Sequence, residues 1–532
     1  MILLGSLLAQ FDLFVVNVAA PSVQAGLHAS TGLLQLAVGG YSLAYGTLLM
    51  AGGRLGDVLG HRSLLQAGMI SFAVASGLCA LCQTGPELVA ARIIQGACAA
   101  VMVPQVLALV TRLFTPAERG RATAWFGVTL GLGAVLGQAL GGFLVTSAPW
   151  GLSWRTIFLV VIPVALPGAW LVGRRVPAES SRARAARPGA DPAGLGGLSA
   201  GLLMIFAAVT LAPASHWPWW GWLLMAVGGL AVAVTVRWQS RRAARGQPVV
   251  LDPALFRQGV FRVGLGINSA YFLAFGGVLF VMTYTLQAGL HETAEASGLT
   301  FVPQGAAFAV ASLVGARLAT RTGPRLVTVG ALASSTACAL LLAEAETGGI
   351  AAGPRHLWPV MALLGAGNGL AIPAMIASVL RVVANATSGT AAGVLTTTQQ
   401  VSMAFGVAIL GSVQTVAVSR ASGPAGYLTG LKITLLIAAI LLALAAAASV
   451  TLYRGHPRPP RLWGPRLISG RGRTVRRHGA RSRHGGRESD RATRREVMMM
   501  GQGRLPTAGQ AHREPPAARR GRVGSARGCG AW

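Results

Sequence analysis

Long apolar runs dominate the sequence and constrain its fold more than any other feature. Fourteen stretches of about 20 residues are almost entirely apolar, and a run of that length spans a bilayer as an α-helix. Hydrophobic residues make up 53% of the chain and charged residues only 11%, which is too little charge for a water-facing surface. A soluble globular fold is therefore excluded, and an all-α integral membrane protein is predicted. The predicted spans are 1–20, 33–53, 63–83, 87–111, 122–146, 155–173, 195–213, 218–238, 261–287, 297–319, 325–345, 357–380, 390–416 and 431–453.

Basic residues accumulate in the loops on one side of these spans. If the N-terminus is cytoplasmic, the inner loops hold twenty arginines and the outer loops hold four basic residues. Cytoplasmic loops of membrane proteins carry such an excess of Lys and Arg. The sequence therefore predicts a multi-pass protein with cytoplasmic N- and C-termini and an even number of spans.

A repeat divides the spans into two halves. Five residue pairs recur at the same spacing, among them Gly96 with Gly365, and Gly137 with Gly406. Spans 1–6 therefore correspond to spans 9–14, and spans 7 and 8 lie between them. Parallel repeats of this kind are typical of alternating-access transporters, whose substrate site lies between the halves. The predicted domains are an N-terminal six-helix bundle (1–175), a cytoplasmic linker (176–194), two inserted transmembrane helices (195–238), a second cytoplasmic linker (239–260), a C-terminal six-helix bundle (261–453) and an Arg-rich tail (454–532).

The first half carries five short motifs in order. They are Phe11–Pro21 in span 1, Gly53–Arg62 after span 2, Arg92–Gly96 with Pro104 in span 4, Gly133–Gly142 in span 5 and Trp154–Pro163 at the start of span 6. Together they resemble the major facilitator superfamily and, within it, the fourteen-span drug:proton antiporters of the multidrug and antibiotic efflux type. The resemblance implies the major facilitator fold, with two six-helix bundles plus two inserted helices, in a bacterial cytoplasmic membrane.

Two opposite charges lie inside predicted spans at similar depths. Asp12 lies near mid-bilayer, where a carboxylate costs about 2.5–3.5 kcal/mol and usually faces a cavity. Arg92 in span 4 lies within about one helical turn of the same depth. We predict that Asp12 takes up a proton outside and releases it inside in exchange for substrate, and the resemblance implies that Arg92 assists. A permanent structural ion pair is the alternative.

The loop between spans 2 and 3 contains candidate gating residues. Glycine permits close helix approach and a positive φ in a tight turn. The resemblance implies that Asp57 locks the cytoplasmic side through contacts that break when the site faces inward, whereas a solvated loop acid is the alternative. The candidates are Gly53, Asp57, Gly60 and Arg62.

Span 5 contains a glycine stripe, formed by Gly133, Gly137, Gly141 and Gly142. The first three recur every four residues, so they line one helix face and admit a closely packed neighbour. By resemblance this stripe is typical of antiporters rather than symporters, although Gln138 stands where the family usually has proline. Helix packing without any bearing on transport direction is the alternative.

Polar side chains within the spans are candidates to line a central cavity, and helical periodicity does not select among them. Spans 9–14 contain no second membrane-centred acid, which predicts few protons per cycle and argues against a specialist for dications. The candidates are Asn17, Gln95, Asn268, Tyr271, Gln304, Asn368, Gln399 and Gln400.

These features favour a proton-coupled antiporter that exports small amphipathic compounds, such as drugs or antibiotics, by alternating access. A proton-coupled uptake symporter of a small solute is the alternative, and a membrane receptor or membrane-embedded enzyme is the alternative from another class. The sequence has no Walker loop and no histidine inside a predicted span, so we expect no enzymatic activity, cofactor or metal. The expected partners are a small-molecule substrate, protons and the lipid bilayer, with the protein acting as a monomer.

The last 79 residues differ from the rest of the chain. Residues 454–532 hold twenty arginines, no lysine and four acids, a composition typical of disorder. Binding to anionic lipid and binding to nucleic acid are two interpretations. We favour a third, in which G+C-rich DNA is read out of frame. The formal net charge of +30 therefore does not predict a nucleic-acid partner.

Overall fold

The computed structural model describes residues 1–177, 191–212, 217–247, 249, 255–322, 325–380, 388–421 and 423–451. Within these ranges the chain contains no β-strand, and fourteen helical segments are long and apolar enough to cross a membrane. The fourteen predicted spans and the all-α fold class are thereby confirmed. The predicted tail and most of the first predicted linker lie outside the described residues, and residues Met1–Arg458 form one compact unit.

The helices follow the order of the predicted spans. They are α1 (Leu4–Leu27), α2 (Thr31–Leu59), α3 (His61–Leu81), α4 (Gly85–Leu113), α5 (Pro116–Ser147), α6 (Thr156–Leu159), α7 (Ile162–Arg175), α8 (Pro192–Leu211), α9 (Trp219–Ala244), α10 (Gly259–Tyr284), α11 (Ala294–Thr322), α12 (Arg325–Thr347), α13 (Pro354–Leu380), α14 (Ser388–Arg420) and α15 (Pro424–Ser449).

Several helix ends differ from the predicted ones. Helix α1 continues through Pro21, where the predicted span ends, because neighbouring helices can compensate for the missing N–H of a proline inside a membrane. The sixth span is divided into α6 and α7, with Pro163 in the first turn of α7, where its missing N–H is tolerated. His61 and His356 lie in the first turns of α3 and α13, so the prediction that no histidine enters a span is wrong at these two ends.

Equivalent helices make equivalent contacts in the two halves. In the first half α1 packs on α5, α2 on α4, and α3 on α7. In the second half α10 packs on α14, α11 on α13, and α12 on α15. This correspondence is the structural counterpart of the sequence repeat. The halves meet along two seams, one between α2 and α14 and the other between α5 and α11.

Glycines bring the helices of both seams close together. A Cβ on Gly46 of α2 would lie 2.6 Å from the Cβ of Gln400 on α14, and Thr397 Oγ1 donates to the Gly46 carbonyl at 2.8 Å. On the other seam, Gly142 of α5 faces the backbone of Ala294 on α11. Without a Cβ in the way, main chains can approach at these points.

The inserted helices cover the seam between α2 and α14. Helix α8 packs on both of these helices, and α9 packs on α8. The Phe206 side chain of α8 is fully buried against Gly39 of α2, and its ring lies 5.7 Å from that of Phe405 on α14. Asp191 caps α8 by accepting from the Gly194 N–H at 3.1 Å. The inserted pair is therefore packed on both halves.

Candidate functional site

Asp12 and Arg92 form an ion pair inside the first half. Neither side chain is exposed, and Arg92 Nη1 donates to Asp12 Oδ2. Gln95, one helical turn after Arg92, donates from Nε2 to Asp12 Oδ1 at 2.8 Å and accepts from Arg92 Nη1 at 2.6 Å. Each carboxylate oxygen therefore has a partner, as a buried charge requires. The sequence predicts that Asp12 and Arg92 lie within about one helical turn of the same depth in the membrane, and this difference is small enough for the ion pair to form.

A wider hydrogen-bond network fixes this pair. The Arg92 guanidinium lies 4.3 Å from the centre of the Tyr41 ring, and Tyr41 donates its hydroxyl proton to the Ala9 carbonyl at 2.9 Å. Ser76 accepts from Gln95 Nε2 at 2.8 Å. The network thus joins α1, α2, α3 and α4. Tyr41 and Ser76 were not predicted from the sequence, because the contacts between polar side chains depend on how each helix is rotated about its axis.

The glycine stripe of α5 packs against the helix that carries Asp12. A Cβ on Gly137 would lie 2.7 Å from the Phe11 carbonyl oxygen, and one on Gly133 would lie 3.0 Å from the Leu7 carbonyl oxygen. Gly141 faces Val15 of α1, whereas Gly142 faces α11. The stripe therefore holds α1 close to α5 over about two helical turns, and its last glycine belongs to the seam between the halves.

A cavity of about 900 Å³ lies between the halves. Its aromatic wall residues are Phe14, Tyr45, Phe126, Phe272, Phe275, Phe301 and Phe308. Its wall amides are Gln10, Gln138, Gln304, Asn368, Gln399 and Gln400. An apolar wall with a few placed polar groups suits a small amphipathic ligand. Among the described residues, no group of three histidine, cysteine or acidic side chains could hold a metal ion.

The cavity is open at one end and closed at the other. Its open end reaches Asp57 and Arg112, whose side chains are 43% and 33% exposed. At the opposite end α5 meets α11, and Gln287 after α10 donates from Nε2 to the Val18 carbonyl of α1 at 2.8 Å. A ligand can therefore enter from the side of the loop between α2 and α3.

The predicted gating residues lie around this open end. Asp57 Oδ1 is 3.3 Å from His61 Nε2 and 3.5 Å from Arg112 Nη2. Gly60 joins α2 to α3 at a φ of 94°, which favours glycine. Arg62 donates to the Gly173 carbonyl near the end of α7.

Gly53, the remaining gating candidate, lies on the cavity wall. A Cβ there would meet Pro104 of α4 at an ordinary 3.8 Å. Neither a close approach nor a positive φ requires glycine at this position, unlike at Gly60.

The predicted cavity residues separate into two sets. Gln304, Asn368, Gln399 and Gln400 line the cavity. The structure places the others outside its wall, where each makes at least one hydrogen bond within its own half. Asn17 donates to the Leu13 carbonyl of its own helix, Gln95 contacts Asp12, Asn268 donates to the Leu395 carbonyl, and the Tyr271 hydroxyl lies 2.7 Å from Ser334 Oγ.

Asp12 also lies behind the cavity wall, although the sequence predicts that it faces a cavity. Arg92 and Gln95 occupy both of its oxygens inside the first half. The next two residues of α1, Leu13 and Phe14, do line the cavity. Gln10 and Gln138 were not predicted as wall residues, although each is a polar side chain in an apolar run, which is the signal that could have identified them.

Comparison with known proteins identifies the family. The family model described as Major Facilitator Superfamily matches residues 2–407. A probable actinorhodin transporter of Streptomyces coelicolor is 34% identical over 402 residues, which cover 75% of this chain and 68% of that protein. A puromycin resistance protein of Streptomyces alboniger is 36% identical over 430 residues, covering 78% of this chain and 80% of that protein.

A solved structure shares the fold. It is an inward-facing, unoccupied bacterial homolog of the human lysosomal transporter Spinster, with a TM-score of 0.60 and 17% identity, and the match covers 85% of this chain and 95% of that one. The protein is therefore a multi-pass membrane protein that belongs to the Major Facilitator Superfamily of transporters.

Proposed function

We propose that the protein is a proton-coupled antiporter that exports drugs, antibiotics or similar small amphipathic compounds across a bacterial cytoplasmic membrane by alternating access. The observation that carries this proposal is the large amide-bearing apolar cavity, whose open end among the described residues lies at Asp57 and Arg112. The relatives include a probable actinorhodin transporter and a puromycin resistance protein, which supports a drug or antibiotic as cargo. The protein acts as a monomer without catalysis, and its partners are the substrate, protons and lipid.

The open end of the cavity faces the cytoplasm in this proposal. The loops on that side hold twenty arginines, whereas the loops on the other side hold four basic residues. Cytoplasmic loops are enriched in basic residues. An exported compound would then enter the cavity past Asp57 and Arg112. Both chain termini would lie on the same side.

Asp12 is the proposed proton carrier, with Arg92 as its partner. Protonation would remove the negative charge that Arg92 and Gln95 hold in place. Because α1 also supplies Leu13 and Phe14 to the cavity wall, a rearrangement around Asp12 would reach the bound compound. Protons and cargo are exchanged if protonated and deprotonated Asp12 favour opposite conformations, one with the cavity open to the cytoplasm and one with it open to the outside.

Everted membrane vesicles with an acidic interior test the proposal. The vesicles would contain the full-length chain, and a fluorescent weak base would report the pH gradient. An antiporter of the proposed orientation should discharge the gradient when a panel of amphipathic antibiotics is added outside. A protonophore should abolish accumulation of the same compounds. An unchanged gradient across the whole panel, or accumulation that survives the protonophore, would contradict proton-coupled export.

A further inference from the structure

The side chain of Gln138 lies at the cavity wall without a hydrogen-bond partner. It is 3% exposed and lines the cavity. Neither its Nε2 nor its Oε1 has a partner among the described residues. A buried amide without partners is unfavourable and uncommon. Less than 1 Å² of either atom is accessible in this arrangement, so the side chain must turn toward the cavity for a bound compound to supply a partner.

The neighbours of Gln138 hold it at the closed end of the cavity. The preceding residue, Gly137, packs against the Phe11 backbone of α1, and the carbonyl of Gln138 itself faces Gly298 of α11. The backbone of Gln138 is thus held where the two halves meet. In the resembled motif this position holds proline, which has no side-chain hydrogen-bonding group. The side-chain amide is therefore a departure of this chain from the resembled motif.

The charges of the cavity wall indicate what kind of compound fits. Among the described wall residues Asp57 is the only acid, and it lies at the open end next to His61 and Arg112. Arg54 adds a second guanidinium at that end. The remainder of the wall consists of uncharged side chains, with phenylalanines and amides prominent. A cationic compound would therefore find no carboxylate deep in the cavity, and only cation–π contacts with the phenylalanine rings would offset the loss of its hydration.

We infer that Gln138 determines substrate specificity and selects aromatic compounds that are uncharged or anionic and carry a carbonyl or hydroxyl oxygen. The phenylalanines provide stacking and edge contacts for the ring system. The Gln138 amide can donate to a carbonyl or phenolate oxygen and can accept from a hydroxyl group. This inference rests on the proposed function, since it assigns the chemistry of the exported compound.

Gln35 offers a matched control for Gln138. Its side chain is 1% exposed, and both of its amide atoms also lack a partner among the described residues. It faces Gly411 on the seam between α2 and α14 rather than the cavity. Q35L and Q138L therefore each remove one buried amide that has no partner among the described residues, and only Q138L alters the cavity wall.

Binding of two probe pairs to full-length protein in nanodiscs tests the inference. Fluorenone and fluorene differ by one carbonyl oxygen, and acridone and 9-aminoacridine differ in charge at neutral pH. The wild type should bind fluorenone about tenfold more tightly than fluorene, as expected for one hydrogen bond, and acridone more tightly than 9-aminoacridine. Q138L should lose the fluorenone preference, Q35L should keep it, and Q138E should reverse the preference between acridone and 9-aminoacridine.

Other outcomes would overturn the inference. These are equal wild-type affinity for fluorenone and fluorene, a preference that persists in Q138L, an equal loss in Q35L, or no binding of any probe. The binding measurement uses no proton gradient, so it is independent of the vesicle experiment. Selective binding without export would contradict only the proposed function, whereas export by a wild type whose preference survives in Q138L would contradict only this inference.

Discussion

Asp12 and Arg92 are paired where neither side chain is exposed. Removing one partner of such a pair leaves the other charge buried and costs about 3–5 kcal/mol, while removing both is often nearly neutral. We therefore expect D12N and R92Q each to lower the thermal unfolding temperature, and the double variant D12N/R92Q to recover most of it. All three should fail to discharge the pH gradient in everted vesicles. Thermal unfolding in detergent and the vesicle assay measure the two properties separately.

The double variant separates the two interpretations of the pair. If D12N/R92Q is stable and still exchanges protons for substrate, the pair is purely structural and the role of Asp12 in coupling is wrong. S76A serves as a control within the same network, because it removes the acceptor of one Gln95 hydrogen bond and the donor to the Phe72 carbonyl but leaves both charges in place. It should lower the stability by about 0.5–1.5 kcal/mol and leave transport intact.

The sequence was sufficient to predict that Asp12 and Arg92 can pair, but not to predict the hydrogen bonds that surround the pair. The rise of 1.5 Å per residue gives the depth of each charge from its position in an apolar run. The bonds of Gln95 to Asp12 and Ser76 depend on helix rotation, which sequence periodicity does not give. For the same reason, Gln95 was predicted to line the cavity although it lies behind the wall.

Helix α5 can approach α1 because its contact face is glycine. An alanine at position 137 would place its Cβ 2.7 Å from the Phe11 carbonyl oxygen and 2.9 Å from the Phe14 Cβ. We expect G137A to destabilise the protein by about 1–3 kcal/mol, as overpacking does, and to slow transport. G127A is the matched control on the same helix, since a Cβ there meets no atom within 4 Å.

Chemical denaturation and initial export rates would measure the effect of each glycine variant. The packing role of the stripe predicts a clear difference between them, with G127A close to wild type in both properties. Equal stability and equal transport in G137A and G127A would show that close approach of α5 to α1 is unnecessary.

The inserted helices contribute to stability through one aromatic side chain in particular. Phe206 is fully buried between α2 and α14, whereas Phe143 on α5 is 52% exposed. F206A should lower the stability by about 3–5 kcal/mol, because it leaves a cavity in a packed seam. F143A makes the same chemical change at an exposed position and should have little effect. Thermal unfolding that is equally altered in the two variants would contradict a stabilising role for α8.

At the scale of elements, apolar length predicted the number and order of the membrane-spanning helices. The ends were harder to predict, because proline has different effects in different surroundings. Helix α1 continues through Pro21, whereas the sixth span is interrupted just before Pro163. Sequence alone does not show which neighbouring helix can compensate for a missing N–H.

Across the whole molecule, the repeat predicted two equivalent halves, and the same helix pairs pack in both. The cavity between them was harder to predict, since its wall combines residues from nine helices of both halves. Gln304 and Gln399 were among the candidates and line this cavity, whereas Gln10 and Gln138 line it and were not included. Composition identifies polar residues within the apolar spans, but only the packed arrangement shows which of them share a surface.

A labelling experiment tests the direction in which the whole molecule opens. Leu107 on α4 lines the cavity and is 42% exposed, whereas Leu81 at the opposite end of the bundle is 72% exposed. L107C and L81C would each be made in full-length protein whose five native cysteines are replaced by alanine. A membrane-impermeant maleimide should label L107C in everted vesicles and L81C in intact cells, since the proposed orientation places the open end in the cytoplasm. Labelling of L107C only in intact cells would reverse that orientation and, with it, the direction of export. Labelling of L107C from both sides would be compatible with a cavity that opens to each side in turn, and labelling of L81C would then report the orientation alone.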